Sequence, residues 1–143
     1  SDLYWWNNYY EWEKYSKEIG IKTEFAVCLA WSETDIGGAL KTNHNYFNCG
    51  NKDGGGTITF SSFKAAFRGL WKLCINGTYL RKKTTLSHLY PYHKDSTCQS
   101  HPHDPACKYV FAWSRENAFN NVANCLGNIY QKTISPEFYF RLQ

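Results

Sequence analysis

The residue with the clearest chemical potential is Glu33. It closes the apolar run FAVCLAW (Phe25 to Trp31) just ahead of Gly37 and Gly38. A carboxyl at the end of a segment that seeks burial loses solvation for its charged form, so its pKa rises and it keeps a proton near neutral pH. Such a group can act as a general acid. Asp53 is the second candidate, in the glycine- and asparagine-rich stretch from Asn43 to Gly56. Its alternative is a plain Asp-Gly turn. Asp35 lies two residues beyond Glu33, far around a continuing helix, and is expected to cap or to face solvent.

The elements that must position these acids follow from local pattern. Residues 3–18 read as an aromatic helix closed by Gly20, with one set at Leu3, Trp6 and Tyr10 and another at Trp5, Tyr9 and Trp12. One set is expected on the core, the other on a neighbour, a glycan or a cleft rim. Thr23 is the expected N-cap of the helix that carries Glu33. Thr57 to Phe60 alternates like half of a small hairpin, and Ser61 or Ser62 caps a helix running to about Ile75. Its apolar face is Phe63, Ala66, Phe67, Leu70, Leu73 and Cys74. Thr84 to Leu89 reads as a short helix ended by Pro91, and residues 90–108 as an irregular loop. Ser114 is expected to cap a last helix with Ala118, Val122, Cys125, Leu126 and Ile129 inward, and the aromatic tail after Pro136 to fold back onto the body.

Those residues carry a family likeness. The apolar helix ending Ser32-Glu33, then Gly37, then an Asn-aromatic-Phe-x-x-Gly segment (Asn45, Tyr46, Phe47, Gly50) resembles the lysozyme-like superfamily. More narrowly it is similar to the glucosaminidase-type muralytic domains of bacterial autolysins and phage lysins. Further points of likeness are Phe60-Ser61, Tyr79-Leu80, the Phe111-Ala112-x-Ser114 segment, the helix ending CLGNIY, and Phe140-Arg141. The likeness spans roughly residues 24–142 and leaves the first helix, residues 1–20, outside it.

The resemblance implies a single mainly α domain over residues 1–143 (α+β, lysozyme-like), a helical bundle around the Glu33 helix with a small β-hairpin beside a cleft. It implies cleavage of peptidoglycan glycan strands without a cofactor, by a hydrolase or a lytic transglycosylase, with Glu33 protonating the leaving oxygen. A second carboxylate such as Asp53 would stand about 5 Å away as a nucleophile, or about 6.5 to 9.5 Å away with water between. The substrate's own acetamido group is the alternative to it. Asn45, Tyr46 and Phe47 would line the sugar groove, with Phe47 packing beneath and Trp31 and Trp113 as stacking platforms, though each tryptophan is more often core. At Phe111 the related domains carry a cleft tyrosine, so Tyr109 or Tyr46 would have to supply the hydroxyl. The rival expectation is a glycan-binding or structural module on a virion or cell surface with little turnover.

Composition narrows the setting. The net charge of +4 is modest and its lysines and arginines are scattered, which suits an anionic wall polymer or an ordinary protein surface and gives no sign of a nucleic-acid partner. No run approaches the roughly 18 apolar residues of a membrane span. No basic-then-apolar leader opens the sequence, and the first residue is Ser1, so the expectation is a mature product. The aromatic share of 18% suits the stacking of sugar rings, although most of those aromatics are expected in the core. Six cysteines point to disulfides and to an extracellular or virion setting, with fifteen connectivities open. Cys98 with Cys107 is the expected pair, while Cys28, Cys74 and Cys125 could be bridged or buried thiols. Cys98, His101, His103 and Cys107 could in principle hold zinc, but they match no common finger spacing, and a disulfide without metal is expected.

Overall fold

The computed structural model describes residues 9–34, 44–50, 58–76, 82–108, 110–113 and 115–143. Asp35, Gly37, Gly38, Asp53, Thr57, Tyr109, Ser114 and the aromatic residues before Tyr9 lie outside them. Helix α1 is Tyr9–Glu18, α2 is Thr23–Thr34 and α3 is Phe63–Gly69, which runs on as a π-helical turn over Leu70–Ile75. Short helices α4 (Leu86–Leu89) and α5 (Pro105–Lys108) flank a 3₁₀ turn at Thr97–Gln99, and α6 spans Asn117–Tyr130. The chain is mainly helical, as expected. Ile58 to Phe60, where the hairpin was expected, form no strand; the extended pairings among the described residues are two isolated antiparallel bridges, Ile21 with Arg141 and Thr85 with Tyr139.

Helix α2 is central because its sequence is apolar on every side. Phe25, Ala26, Val27, Cys28, Leu29 and Ala30 follow one another without a polar break, and all six are buried. A helix apolar all round finds no stable place except between other elements. It packs on α6 and α1, and a Cys28–Cys125 disulfide ties it to α6. The two run antiparallel, since the Tyr130 hydroxyl at the end of α6 donates to Glu24 Oε2 in the first turn of α2 (3.1 Å), although Cys28 meets Cys125 in between. The C-terminal tail folds back as anticipated: Phe140 is fully buried and stacks on Phe25 at 4.5 Å between ring centroids.

Of the two aromatic sets expected on this helix, the structure describes Tyr9, Tyr10 and Trp12, and Tyr9 is exposed although helical spacing groups it with Trp12. Trp12 is fully buried, with its ring edge-on to Phe63 (4.9 Å), Phe67 (5.6 Å) and Phe47 (6.2 Å), whereas Tyr10 is exposed. Gly20 ends the helix in a left-handed conformation (φ 76°) that a side chain would strain. Helix α2 already includes Thr23, the expected cap, and so begins one residue earlier than expected. Ser62 does cap α3, its hydroxyl accepting from Ala65 N (3.1 Å). At Leu70 the helix widens, and Asn76 N donates to Trp71 O five residues back (2.8 Å). That widening carries Leu73 off the apolar face into partial exposure, while Cys74 turns inward and pairs with Cys49.

The third disulfide, Cys98–Cys107, is the expected one, and no cysteine is free among the described residues. His88, Asp104 and Cys107 approach one another, yet Cys107 is bridged and offers no thiolate, and His101 and His103 are exposed. Lys83 is the buried cation of this region. Its ammonium donates to His88 O and Ala106 O (both 2.5 Å), pinning the segment before α4 to α5, and burial lowers its pKa to about 8. On α6 the buried stripe is Phe119, Val122, Ala123 and Leu126. Ile129, expected inward, is partly exposed because α6 presents Tyr130 to Glu24 at that end.

Candidate active site

Glu33 occupies the last turn of α2, half-buried, where the helix presents the negative end of its dipole. No basic residue lies in that turn to offset it. Burial pushes the Glu33 carboxyl above its ordinary pKa, and a hydrogen bond from the Asn48 side chain partly opposes the shift. No lysine, arginine or histidine among the described residues acts on it. The helix position, burial and the lack of a counter-cation among the described residues therefore favour a protonated acid.

Loop 44–50 is what holds Asn48 against Glu33. Asn45, fully buried, organises the loop: its Oδ1 accepts from Cys49 N (3.0 Å) and its Nδ2 donates to Cys49 O (3.0 Å) and Ile58 O (3.3 Å). The Thr34 hydroxyl ties the loop to the end of α2 through Tyr46 O (2.8 Å). Asn48 itself adopts a left-handed conformation (φ 52°), which asparagine tolerates better than most side chains. Tyr46 and Phe47 are buried, both edge-on to Trp12. Thus Asn45, Tyr46 and Phe47 form the loop's foundation, and Asn48, which the sequence reading passed over, is the residue that touches the acid. Its position three residues after Asn45 in an Asn-rich turn was the available signal.

On the other side stands Tyr90, also unanticipated. It is fully buried after α4, packed edge-on against Phe111 (6.4 Å) and Phe119 (6.2 Å), and its phenol is pushed well up by burial and by the charge of Glu33. Phe111 is half-buried and sits in this wall. Its segment is held by Ala112 N donating to Leu89 O (3.3 Å). Glu33 is therefore in contact with Asn48 and Tyr90 with Phe111, whereas Asp53 and Tyr109 fall outside the described residues.

Two aromatic surfaces remain open. Trp31 is 40% exposed two residues before Glu33, and Trp113 is 68% exposed and stacked on Tyr92 at 5.5 Å and 28°. The flat, accessible Tyr92–Trp113 pair could receive a sugar ring. By contrast, a groove along α6, lined by Asn120, Asn124, Asn128, Gln131, Lys132 and Thr133 among others, holds no carboxylate among the described residues. Comparison of the chain with protein families, with curated proteins and with solved structures returned no match.

Proposed function

We propose that this chain is a lysozyme-like domain that cleaves the glycan strands of peptidoglycan, with Glu33 as the general acid. The observation that carries the reading is the half-buried Glu33 carboxyl, pushed up by burial at the negative end of α2 and contacted by Asn48. A carboxyl in that condition keeps its proton to higher pH than an exposed one and can pass it to the glycosidic oxygen as the bond breaks. The complementary negative charge or nucleophile comes from Asp53 or from the acetamido group of the substrate, which allows either hydrolysis or intramolecular capture. Trp31 and the Tyr92–Trp113 pair supply stacking surfaces for the polymer. Three disulfides suit an oxidising setting outside the cell or on a virion, and no described helix is long and apolar enough to cross a membrane.

A second reading, a glycan-binding module with little turnover, is favoured by two observations. The stacked Tyr92–Trp113 pair is exposed, and the chain carries Phe111 where related domains have a hydroxyl. Turbidity clearing of purified cell walls, with mass spectrometry of the released fragments, separates the two readings. Wild type is expected to clear walls and Glu33→Gln to be inert while still folded. Equal clearing by both would remove Glu33 from the chemistry, and wall binding without clearing by either would establish the second reading.

A further inference from the structure

Helix α6 is rich in residues that favour a helix poorly. Five of its fourteen residues are asparagine, one is glycine and none is charged. Asparagine and glycine are weak helix formers, and the solvent face of a helix ordinarily carries lysine, glutamate or glutamine instead. A local cost of this kind, with no contact in the fold to offset it, marks positions kept for function. Asn120, Asn124 and Asn128 stand four residues apart on one exposed face, and none of the three side chains hydrogen-bonds to a described residue.

Those three amides line a groove of about 810 Å³, a size typical of ligand sites. The turn that follows the helix lines it too. Gln131 adopts a left-handed conformation (φ 55°), and its side-chain amide donates to Asn128 O (2.7 Å). Gly127 lets that turn come close, since a Cβ there would stand 2.9 Å from Lys132 O. Thr133 adds an exposed hydroxyl. Phe119, Ala123 and Ile134 also line the groove but are buried, so they offer no recess for an apolar side chain. Lys132 is the one charge among the described lining residues, its ammonium over the Tyr130 ring (5.8 Å).

We propose that this groove is a second glycan-binding site, distinct from the Glu33 centre, that holds a short uncharged stretch of the sugar polymer. The choice of polymer rests on the peptidoglycan reading. Each amide presents a donor and an acceptor together, which complements sugar hydroxyls and acetamido groups. Two steps of four helical residues spread the amides along about 12 Å, room for a short oligosaccharide. A polyanion would call for more than one cation, and a peptide for apolar recesses or further charges. The groove grips the strand while cleavage stays with Glu33, because no carboxylate lies among its described lining residues.

The test titrates the N-acetylglucosamine tetramer into the Glu33→Gln protein, which leaves the probe whole, and follows the side-chain amide signals of Asn120, Asn124 and Asn128 by nitrogen-15 NMR. Those signals are expected to move together and saturate. Adding Asn124→Ala and Asn128→Ala is expected to weaken that binding about 10-fold. The melting temperature is expected to hold or rise, since alanine favours a helix more than asparagine does. Amide signals that stay still, whether or not Trp31 and Trp113 respond, overturn the proposal, and so does undiminished affinity in the doubly substituted protein. Amides that respond to a short peptide released from cell walls and not to the tetramer overturn the sugar assignment. Should the double substitution melt lower or fail to fold, the amide signals of the parent protein decide. Failure of the general-acid reading is a separate result, read from wall clearing by Glu33→Gln, and it leaves the titration unaffected.

Discussion

Helix α2 carries a glutamate in its first turn and another in its last, and the charge of each pushes a tyrosine phenol up, Tyr130 for Glu24 and Tyr90 for Glu33. At the N-terminal end Glu24 sits where the helix dipole favours negative charge, and its Oε2 accepts from Tyr130 (3.1 Å). That pair is closed, and it fastens the end of α6 to the start of α2. At the C-terminal end Glu33 sits where the dipole opposes charge, and its tyrosine, Tyr90, has a hydroxyl with no partner among the described residues. That pair is open. The same two side-chain types are hydrogen-bonded to each other at one end of the helix and not at the other. The difference lies in dipole direction, burial and whether the hydroxyl is already engaged.

The sharpest way to break the comparison is to neutralise each acid in turn. Glu33→Gln is expected to lower glycan cleavage by about 10²- to 10⁴-fold, measured as clearing rate, because it removes the proton donor. Glu24→Gln is expected to leave that rate unchanged. Next in size is the clamp between the helices. Replacing both Cys28 and Cys125 by serine opens a bridge across 97 residues and is expected to cost about 2 to 5 kcal/mol in denaturant unfolding, with activity falling at temperatures where α2 and α6 separate.

A pH series then separates the two acids by sign. The Glu33 pKa is raised in the folded protein, so between the unfolded value of about 4.3 and the folded one the native state binds more protons than the unfolded state. Wild type should lose stability relative to Glu33→Gln as pH rises through that window. The two should converge below the unfolded value, as read from unfolding midpoints. Cleavage should decline on the alkaline side through the same folded pKa. The smallest effect is expected for Tyr130→Phe, about 1 kcal/mol or less of stability and no change in clearing, because it opens the latch and leaves the donor alone. A large loss of activity in Tyr130→Phe would mean the two ends of α2 are not separable.

How much of this was legible beforehand differs from residue to residue. Burial of Phe25 to Ala30 and the position of Glu33 at the end of that run followed from unbroken apolar sequence. Which aromatic of α1 turns inward, Trp12, was not set by spacing alone, whereas the Cys98–Cys107 bridge followed from the proline-bearing loop between them that a staple would hold. The strand expected at Ile58 to Phe60 did not form, because alternation over so few residues is weak without a partner ladder. Leu73 and Ile129 left their expected faces where a π-helical turn shifted the register and where α6 turned Tyr130 toward Glu24. Neither cause has a local signature.

By itself the sequence determined which helix would be central and which acid would stand at its end, since both are consequences of hydrophobic periodicity along one segment. Only the tertiary structure decided what the acid meets. Asn48 reaches it through a loop held by Asn45 and Thr34, and that loop lies apart from the end of α2 in sequence. Those contacts join segments distant in sequence, and they arise from packing, which no local pattern encodes.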